Sequence, residues 1–139
     1  MEDTEETHIG SFIVSEVHKN RDRATITALD VLAKFDEEVD SWIGTIGSNI
    51  TVQQLTNSLG SHIGVPIILD NSIVNKDAII GKNYSRANIT ARTVLQDVAE
   101  MCGGFAVADL AGNVVVRTYK EKDIALTNAN YRKLTIADY

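Results

Sequence analysis

The 139-residue sequence contains one cysteine and one proline, and no apolar run approaches the ~20 residues that a membrane-spanning helix needs. A single cysteine excludes an internal disulfide. The three histidines, His8, His18 and His62, form no close pair, so we predict no zinc site. The N-terminal "MEDTEETH" lacks the basic and apolar regions of a secretory signal. We therefore expect a globular domain. We expect that this segment neither spans a membrane nor directs its own export.

Basic residues are the minority, with 13 Lys and Arg against 19 Asp and Glu, and they are scattered along the chain. Because a phosphate-binding surface needs clustered basic side chains, we predict no nucleic-acid partner. Acidic residues cluster at Glu2–Glu6 and Asp36–Asp40, and a carboxylate pair could serve as the acid and base of a glycosidase. Runs of charge are, however, usually solvated.

Local motifs that build enzyme sites are missing from the sequence. It has no Gly-x-Ser-x-Gly elbow, no glycine-rich phosphate loop and no His-Glu-x-x-His helix. We therefore predict a protein that is not an enzyme, with no catalytic, cofactor-binding or metal-binding residues and no cofactor.

Two segments of the chain resemble each other. Residues 49–64, "NITVQQLTNSLGSHIG", and residues 88–103, "NITARTVLQDVAEMCG", both begin with Asn-Ile-Thr and end with glycine. Leu55, Leu59 and Ile63 of the first segment align with Val94, Val98 and Cys102 of the second. The spacing predicts two amphipathic helices, each capped by its threonine, with Gly103 and Gly104 stopping the second helix. Cys102 then belongs to the core.

The same threonines bear on the Asn-x-Ser/Thr matches that begin at Asn49, Asn83 and Asn88. Two of these matches coincide with helix starts, where threonine is expected as a cap. We therefore interpret them as caps rather than glycosylation sites.

Strand-forming residues follow each predicted helix. The apolar run 65–70 predicts a buried strand with Pro66 at its start, and residues 105–110 and 114–119 predict a hairpin around "AGN". The residues between the two units predict a loop with a short strand around 78–80. We thus predict an α+β fold in which two helices cover a small sheet formed by 65–70, 105–110 and 114–119.

The N-terminal third has a different pattern. Apolar and polar residues alternate in "HIGSFIVSEVHKN" and "RDRATITALD", which predicts a second hairpin. A short helix is expected in "VLAKFDEEVDSWIG", leading into a linker at 44–48. Trp42 either anchors a partner or packs within this linker region, and packing is the expected role. Because a hairpin with one short helix is marginal alone, residues 8–40 are predicted to belong to a larger β-domain.

Two segments of the sequence resemble a known family of proteins. Residues 9–36 are similar to a segment of the tail hub, or baseplate hub, proteins of long-tailed bacteriophages and prophages, in which an "IGxFxV" strand leads through a charged turn to "ITAxDxLxKxD". The pattern "ITARxVLxxVAExxGGFAV", carried here by Ile89–Val107, recurs in the same group. The resemblance covers most of residues 9–120.

The resemblance implies a structural role in the virion tail. Such hubs form a ring, usually a trimer, between the tail tube and the tip or spike, and their β-domains are assembled from segments separated by an inserted α/β domain. It implies a partial β-domain at 8–45, the inserted α/β domain at 46–120 and a return segment at 121–139. The implied partners are other tail proteins, with a homotrimer in the full-length parent. The alternatives are the hub of a phage-derived contractile injection system and a small peptide- or ligand-binding module.

Overall fold

The computed structural model describes residues 6–81 and 88–119. The strands are β1 (Ile13–Asn20), β2 (Arg23–Leu29), β3 (Asn49–Thr51), β4 (Ile67–Leu69), β5 (Ile79–Gly81), β6 (Gly104–Ala108) and β7 (Val114–Thr118). The helices are a 3-10 helix (Val31–Asp36), α1 (Asp40–Thr45), α2 (Val52–Ile63) and α3 (Ala91–Met101). This mixture of helices and small sheets confirms the predicted α+β class.

The core lies between a three-stranded sheet and two helices. β7 is the central strand, with β4 parallel on one side and β6 antiparallel on the other. α2 packs on β4, α3 packs on β6, and the two helices contact each other. The predicted arrangement of two helices on this sheet is therefore confirmed. The apolar side chains of the predicted helical faces are all buried: Leu55, Leu59, Ile63, Val94, Val98 and Cys102.

Both predicted threonine caps are present. The Thr51 hydroxyl accepts a hydrogen bond from the Gln54 N–H at 3.1 Å, and the Gln54 side chain accepts one from the Thr51 N–H at 3.0 Å. The Thr90 hydroxyl accepts one from the Thr93 N–H at 3.3 Å. The first helix begins later than its Asn-Ile-Thr segment because Asn49–Thr51 is extended and pairs with β5 as strand β3. β5 itself lies where the sequence predicts a short strand.

The two glycines after α3 have different roles: Gly103 ends the helix, and Gly104 begins strand β6. Gly103 has φ +64, a left-handed conformation that glycine adopts without strain, and it follows the last turn of the helix. Gly104 is already the first residue of β6, so the prediction that it stops the helix is wrong. A Cβ at Gly104 would lie 1.9 Å from the carbonyl oxygen of Arg117 on β7. Gly104 thus allows β6 to approach β7.

The strands of the sheet are shorter than predicted. β4 covers only Ile67–Leu69 of the predicted 65–70, and β7 ends one residue before 119. β6 ends at Ala108 instead of residue 110 because a turn begins at Asp109. The Asp109 carboxylate accepts hydrogen bonds from the Asn113 N–H at 2.8 Å and from Asn113 Nδ2 at 2.9 Å. Gly112, at φ +84, completes the turn.

This turn predicts a pH-dependent contribution to stability. The side-chain hydrogen bond from Asn113 lowers the pKa of Asp109 below its ordinary value of 3.8. Because the folded-state pKa lies below the unfolded-state value, the ionised carboxylate stabilises the fold above about pH 4, and this contribution disappears as the pH falls through the folded-state pKa. We expect Asp109→Ala to lower the melting temperature at pH 7 and to differ less from the parent at pH 2–3. A difference that stayed constant from pH 7 to pH 2 would contradict this account.

The predicted short N-terminal helix is two helices. The 3-10 helix Val31–Asp36 begins at Asp30, whose carboxylate accepts a hydrogen bond from the Leu32 N–H at 3.0 Å. α1 follows and extends to Thr45, so the first two residues of the predicted linker are helical. Trp42 on α1 is 9% exposed, and its ring stacks on that of His62 with centroids 5.6 Å apart. Trp42 therefore packs against α2, in line with the expected packing role.

Candidate interaction surface

The N-terminal hairpin β1–β2 is exposed along its whole length. In its register Val14 lies opposite Ala28, Val17 opposite Ile26, and Lys19 opposite Ala24. Opposed residues share a face of the ladder, so one face is apolar except for the lysine near the turn. We call Val14, Val17, Ala24, Ile26 and Ala28 the apolar hairpin face. The opposite face carries the apolar pair Ile13 with Leu29 at the base of the hairpin and three polar pairs beyond it, Glu16 with Thr27, His18 with Thr25 and Asn20 with Arg23.

A β-bulge makes this face continuous. Val14 and Val17 are three residues apart, and in a regular strand such residues point to opposite faces. The register shifts between Val14 and Glu16, leaving Ser15 without an opposing residue. The extra residue returns Val17 to the side of Val14. The bulge therefore builds an uninterrupted apolar face, which sequence alternation alone does not reveal.

None of the described residues covers the apolar hairpin face. The side chains of Val14 and Val17 are each 59% exposed and that of Ile26 is 62% exposed. Phe12, just before β1, is 55% exposed. Contiguous exposed apolar surface typically marks an interaction site, and an isolated two-stranded hairpin has little stability of its own in water.

The base of the hairpin is attached to the turn between β6 and β7. The Leu110 carbonyl oxygen lies 2.8 Å from Nε2 of His8 and accepts a hydrogen bond from the Ser11 hydroxyl at 3.0 Å. The side chain of Leu110 is itself 57% exposed. These bonds place the hairpin at one end of the three-stranded sheet.

The acidic cluster Asp36–Asp40 serves the fold. Arg92 of α3 donates from Nε to the Asp36 carboxylate and from Nη2 to the Leu32 carbonyl, and the hydrogen bond from Arg92 lowers the pKa of Asp36. The Asp40 carboxylate accepts hydrogen bonds from the N–H groups of Asn88, at 2.8 Å, and Ile89, at 2.7 Å. Both carboxylates thus fasten the N-terminal helices to the start of α3. Of the other predicted cluster, Glu2–Glu6, only the last residue lies within the described part of the chain.

The structure also bears on the predictions for Cys102, for metal sites, for membrane-spanning helices and for the Asn-x-Ser/Thr matches. Cys102 is buried, and this burial raises the pKa of its thiol, which confirms its place in the core. Within residues 6–81 and 88–119, no group of three or more His, Cys, Asp and Glu residues is placed to hold a metal ion. No helix in those two ranges has the length and apolar character to cross a membrane. Asn49 and Asn88 both lie two residues before a capping threonine, whereas Asn83 lies outside the described residues.

Comparison with known proteins finds a solved structure that is similar to this chain. No protein-family model matches the sequence, and no curated protein matches it either. The crystal structure of the 43 kDa tail protein of prophage MuSo2 from Shewanella oneidensis is similar, with a TM-score of 0.56 and 22% sequence identity. The match covers 79% of this chain and 34% of that chain, so this chain spans about a third of the length of the tail protein. The chain therefore shares its fold with part of a prophage tail protein.

Proposed function

We propose that this chain is a structural domain of a phage or prophage tail, within the hub that connects the tail tube to the tip or host-contact apparatus. The observation that carries the proposal is the apolar hairpin face, whose valines and Ile26 are more than half exposed although the rest of the domain has a well-buried core. The shared fold with a longer prophage tail protein and the sequence resemblance to tail hubs support it.

The proposal assigns the hairpin to a β-domain that other residues complete. Residues 8–45 form the entry segment of that β-domain, residues 46–120 the inserted α/β domain, and residues 121–139, which lie outside the described part, the return segment. The similar prophage protein is about three times as long as the matching region, which leaves ample chain for further strands. Covering the face would remove its valines and Ile26 from water, and each such side chain contributes about 1.5–3 kcal/mol when fully buried.

The role is architectural rather than enzymatic. The protein would be made in the bacterial host cytoplasm and located in the virion tail. Its partners would be the tail-tube or distal tail protein on one side and the tip or spike on the other. Repeated heterologous contacts close into a ring, and the full-length parent is proposed to form a homotrimer in this way.

Substitutions on the two faces of the hairpin test the proposal. We expect Val17→Asp in this 139-residue chain to change the free energy of unfolding by no more than about 0.5 kcal/mol, because the side chain is exposed. In the full-length parent the same substitution is expected to abolish ring formation, measured by light scattering, and incorporation into purified tails, measured by electron microscopy. Thr25→Asp, on the polar face of the same hairpin, is the matched control and should leave both intact.

Three outcomes would contradict the proposal. A full-length parent that stayed monomeric at high concentration and was absent from purified tails would favour the peptide- or ligand-binding module. Normal ring assembly by the Val17→Asp parent would show that the apolar hairpin face is not buried in the hub. Neighbouring genes for a secretion or pyocin-like particle, in place of phage tape-measure and tail-tube genes, would favour a contractile injection system.

A further inference from the structure

The outer edge of strand β2 is regular and uncharged. Among the described strands, β2 pairs with β1 alone. From Ala24 to Leu29 it contains no charged residue and no proline, and the extra residue of the bulge lies on β1 rather than on β2. Edge strands that resist further pairing typically carry charges, a proline or a bulge. Residues 24–29 have none of these features, so this edge is open to another strand.

The outer edge of β1, in contrast, is protected against pairing. The bulge at Ser15 interrupts its regular geometry, and Glu16 and Lys19 place charges along it. A bulge bends and twists the strand that carries it, which removes the flat edge that an added strand needs. A further strand is therefore expected to join this hairpin at β2 and not at β1.

The register shows which backbone groups of β2 face outward. The two-residue turn lies between the opposed residues Asn20 and Arg23. The residues that close such a turn form a hydrogen-bonded pair, and the direction of bonding alternates along an antiparallel strand. The N–H and C=O groups of Thr25 and Thr27 consequently face β1. The residues whose N–H and C=O groups face outward are Ala24, Ile26 and Ala28.

The sequence of this edge reads the same in both directions. Residues 24–28 are "ATITA", with Ile26 at the centre. Two antiparallel copies related by a two-fold axis beside Ile26 therefore place identical residues opposite each other: Ala24 opposite Ala28, Thr25 opposite Thr27 and Ile26 opposite Ile26. Threonine pairs are favourable neighbours across a ladder. Arg23 comes opposite Leu29, so no like charges face each other along the paired strands.

We propose that β2 pairs with β2 of a second copy of this chain, antiparallel and centred on Ile26. Each outward N–H then donates to an outward C=O of the other copy. The two hairpins become one four-stranded sheet, and three or more strands with an apolar face have the stability that an isolated hairpin lacks. The contact uses the same edge of both copies, so it closes with two of them, and the protected β1 edges at both ends of the sheet stop further addition.

This inference goes beyond the proposed function. The pairing uses the edge of the hairpin and leaves the apolar hairpin face, which carries the proposed function, free on both copies. Sedimentation of the 139-residue chain tests it directly. We expect a reversible equilibrium between monomer and dimer as the concentration is raised to the millimolar range, which corresponds to a weak contact.

Two double variants test the register of the pairing. Residue 25 of one copy faces residue 27 of the other, so Thr25→Lys/Thr27→Lys places lysine opposite lysine at both symmetric positions. The matched control, Thr25→Glu/Thr27→Lys, places glutamate opposite lysine at the same positions. We expect the dissociation constant of the first variant to exceed that of the control by at least about tenfold, because like charges repel and opposite charges attract across a ladder.

The net charge of the chain works against this expected result. The first variant adds two positive charges to a chain of net charge −6, whereas the control leaves the net charge unchanged. General repulsion between copies is therefore weaker in the first variant. Tighter association of the control then reports the specific pairs at positions 25 and 27.

A chain that stayed monomeric in the millimolar range would overturn the proposal. Equal dissociation constants of the two double variants would overturn it as well, since the contact would then lie elsewhere or in another register. If a variant loses protection of the amide at position 25, its hairpin has opened, and hydrogen exchange in the unaltered chain decides the matter. Protection of the Ile26 amide that grows with concentration supports the pairing.

Absence of Ile26 protection contradicts the pairing. Protection that does not depend on concentration contradicts it too, because another segment of the same chain would then cover the edge. None of these outcomes depends on whether the parent protein assembles into a tail.

Discussion

Replacing Leu59 or Val98 with aspartate is expected to unfold the domain. Both side chains are 0% exposed, and they lie on the helix faces that pack into the core. An unpaired carboxylate in such a place loses its hydration or must take up a proton, and the replaced side chain also leaves a cavity. The expected loss is about 4 kcal/mol or more, which is comparable with the whole stability of many small domains.

Circular dichroism during thermal unfolding is the appropriate measurement. Gln96→Asp is the matched control, because it introduces the same residue on an exposed position of α3. It should shift the melting temperature by only a few degrees, since its effect is limited to helix propensity and surface charge. A Leu59→Asp or Val98→Asp protein that melted within a degree or two of the parent would mean that the helical faces are wrongly assigned.

Gly104→Ala is expected to have the second-largest effect. The added Cβ would lie 1.9 Å from the Arg117 carbonyl oxygen and 2.7 Å from its carbon, closer than real Cβ atoms approach. The contact is with backbone, so no side-chain rotation relieves it, and β6 and β7 must move apart. We expect a loss of about 3 kcal/mol, the upper end of the range for overpacked positions.

Other glycines supply the controls for this substitution. Gly47→Ala adds a Cβ with no atom within 4 Å and should change the free energy of unfolding by no more than about 0.5 kcal/mol. Gly103→Ala also meets no atom, but its φ of +64 is left-handed, so about 1 kcal/mol is expected from backbone strain. Denaturant unfolding of the three variants should show the largest loss of stability for Gly104→Ala, a smaller loss for Gly103→Ala and the smallest change for Gly47→Ala. A Gly104→Ala protein as stable as Gly47→Ala would contradict the close approach of β6 and β7.

Part of the candidate interaction surface could be predicted from the sequence. Alternation of apolar and polar residues predicts the N-terminal hairpin, and the marginal stability of such a hairpin predicts that it needs more strands. Alternation does not predict that Val14 and Val17 share a face, because they are an odd number of residues apart and only the bulge at Ser15 aligns them. The exposure of that face depends on which residues pack against it, and no local pattern contains that information.

The sequence by itself determined the local elements of this protein. Threonine caps, glycine ends and helical spacing specify α2 and α3, and β-branched runs specify the strands that follow them, because these preferences act over a few residues. The tertiary structure decided the rest. The sequence leaves open whether the carboxylates of Asp36 and Asp40 are catalytic or structural; in the structure they accept hydrogen bonds from residues 56 and 48 positions away. Gly104 likewise lies so close to the neighbouring strand that a Cβ there would clash with the Arg117 carbonyl oxygen. Such contacts join residues distant in sequence, so their energies act only once the chain has folded.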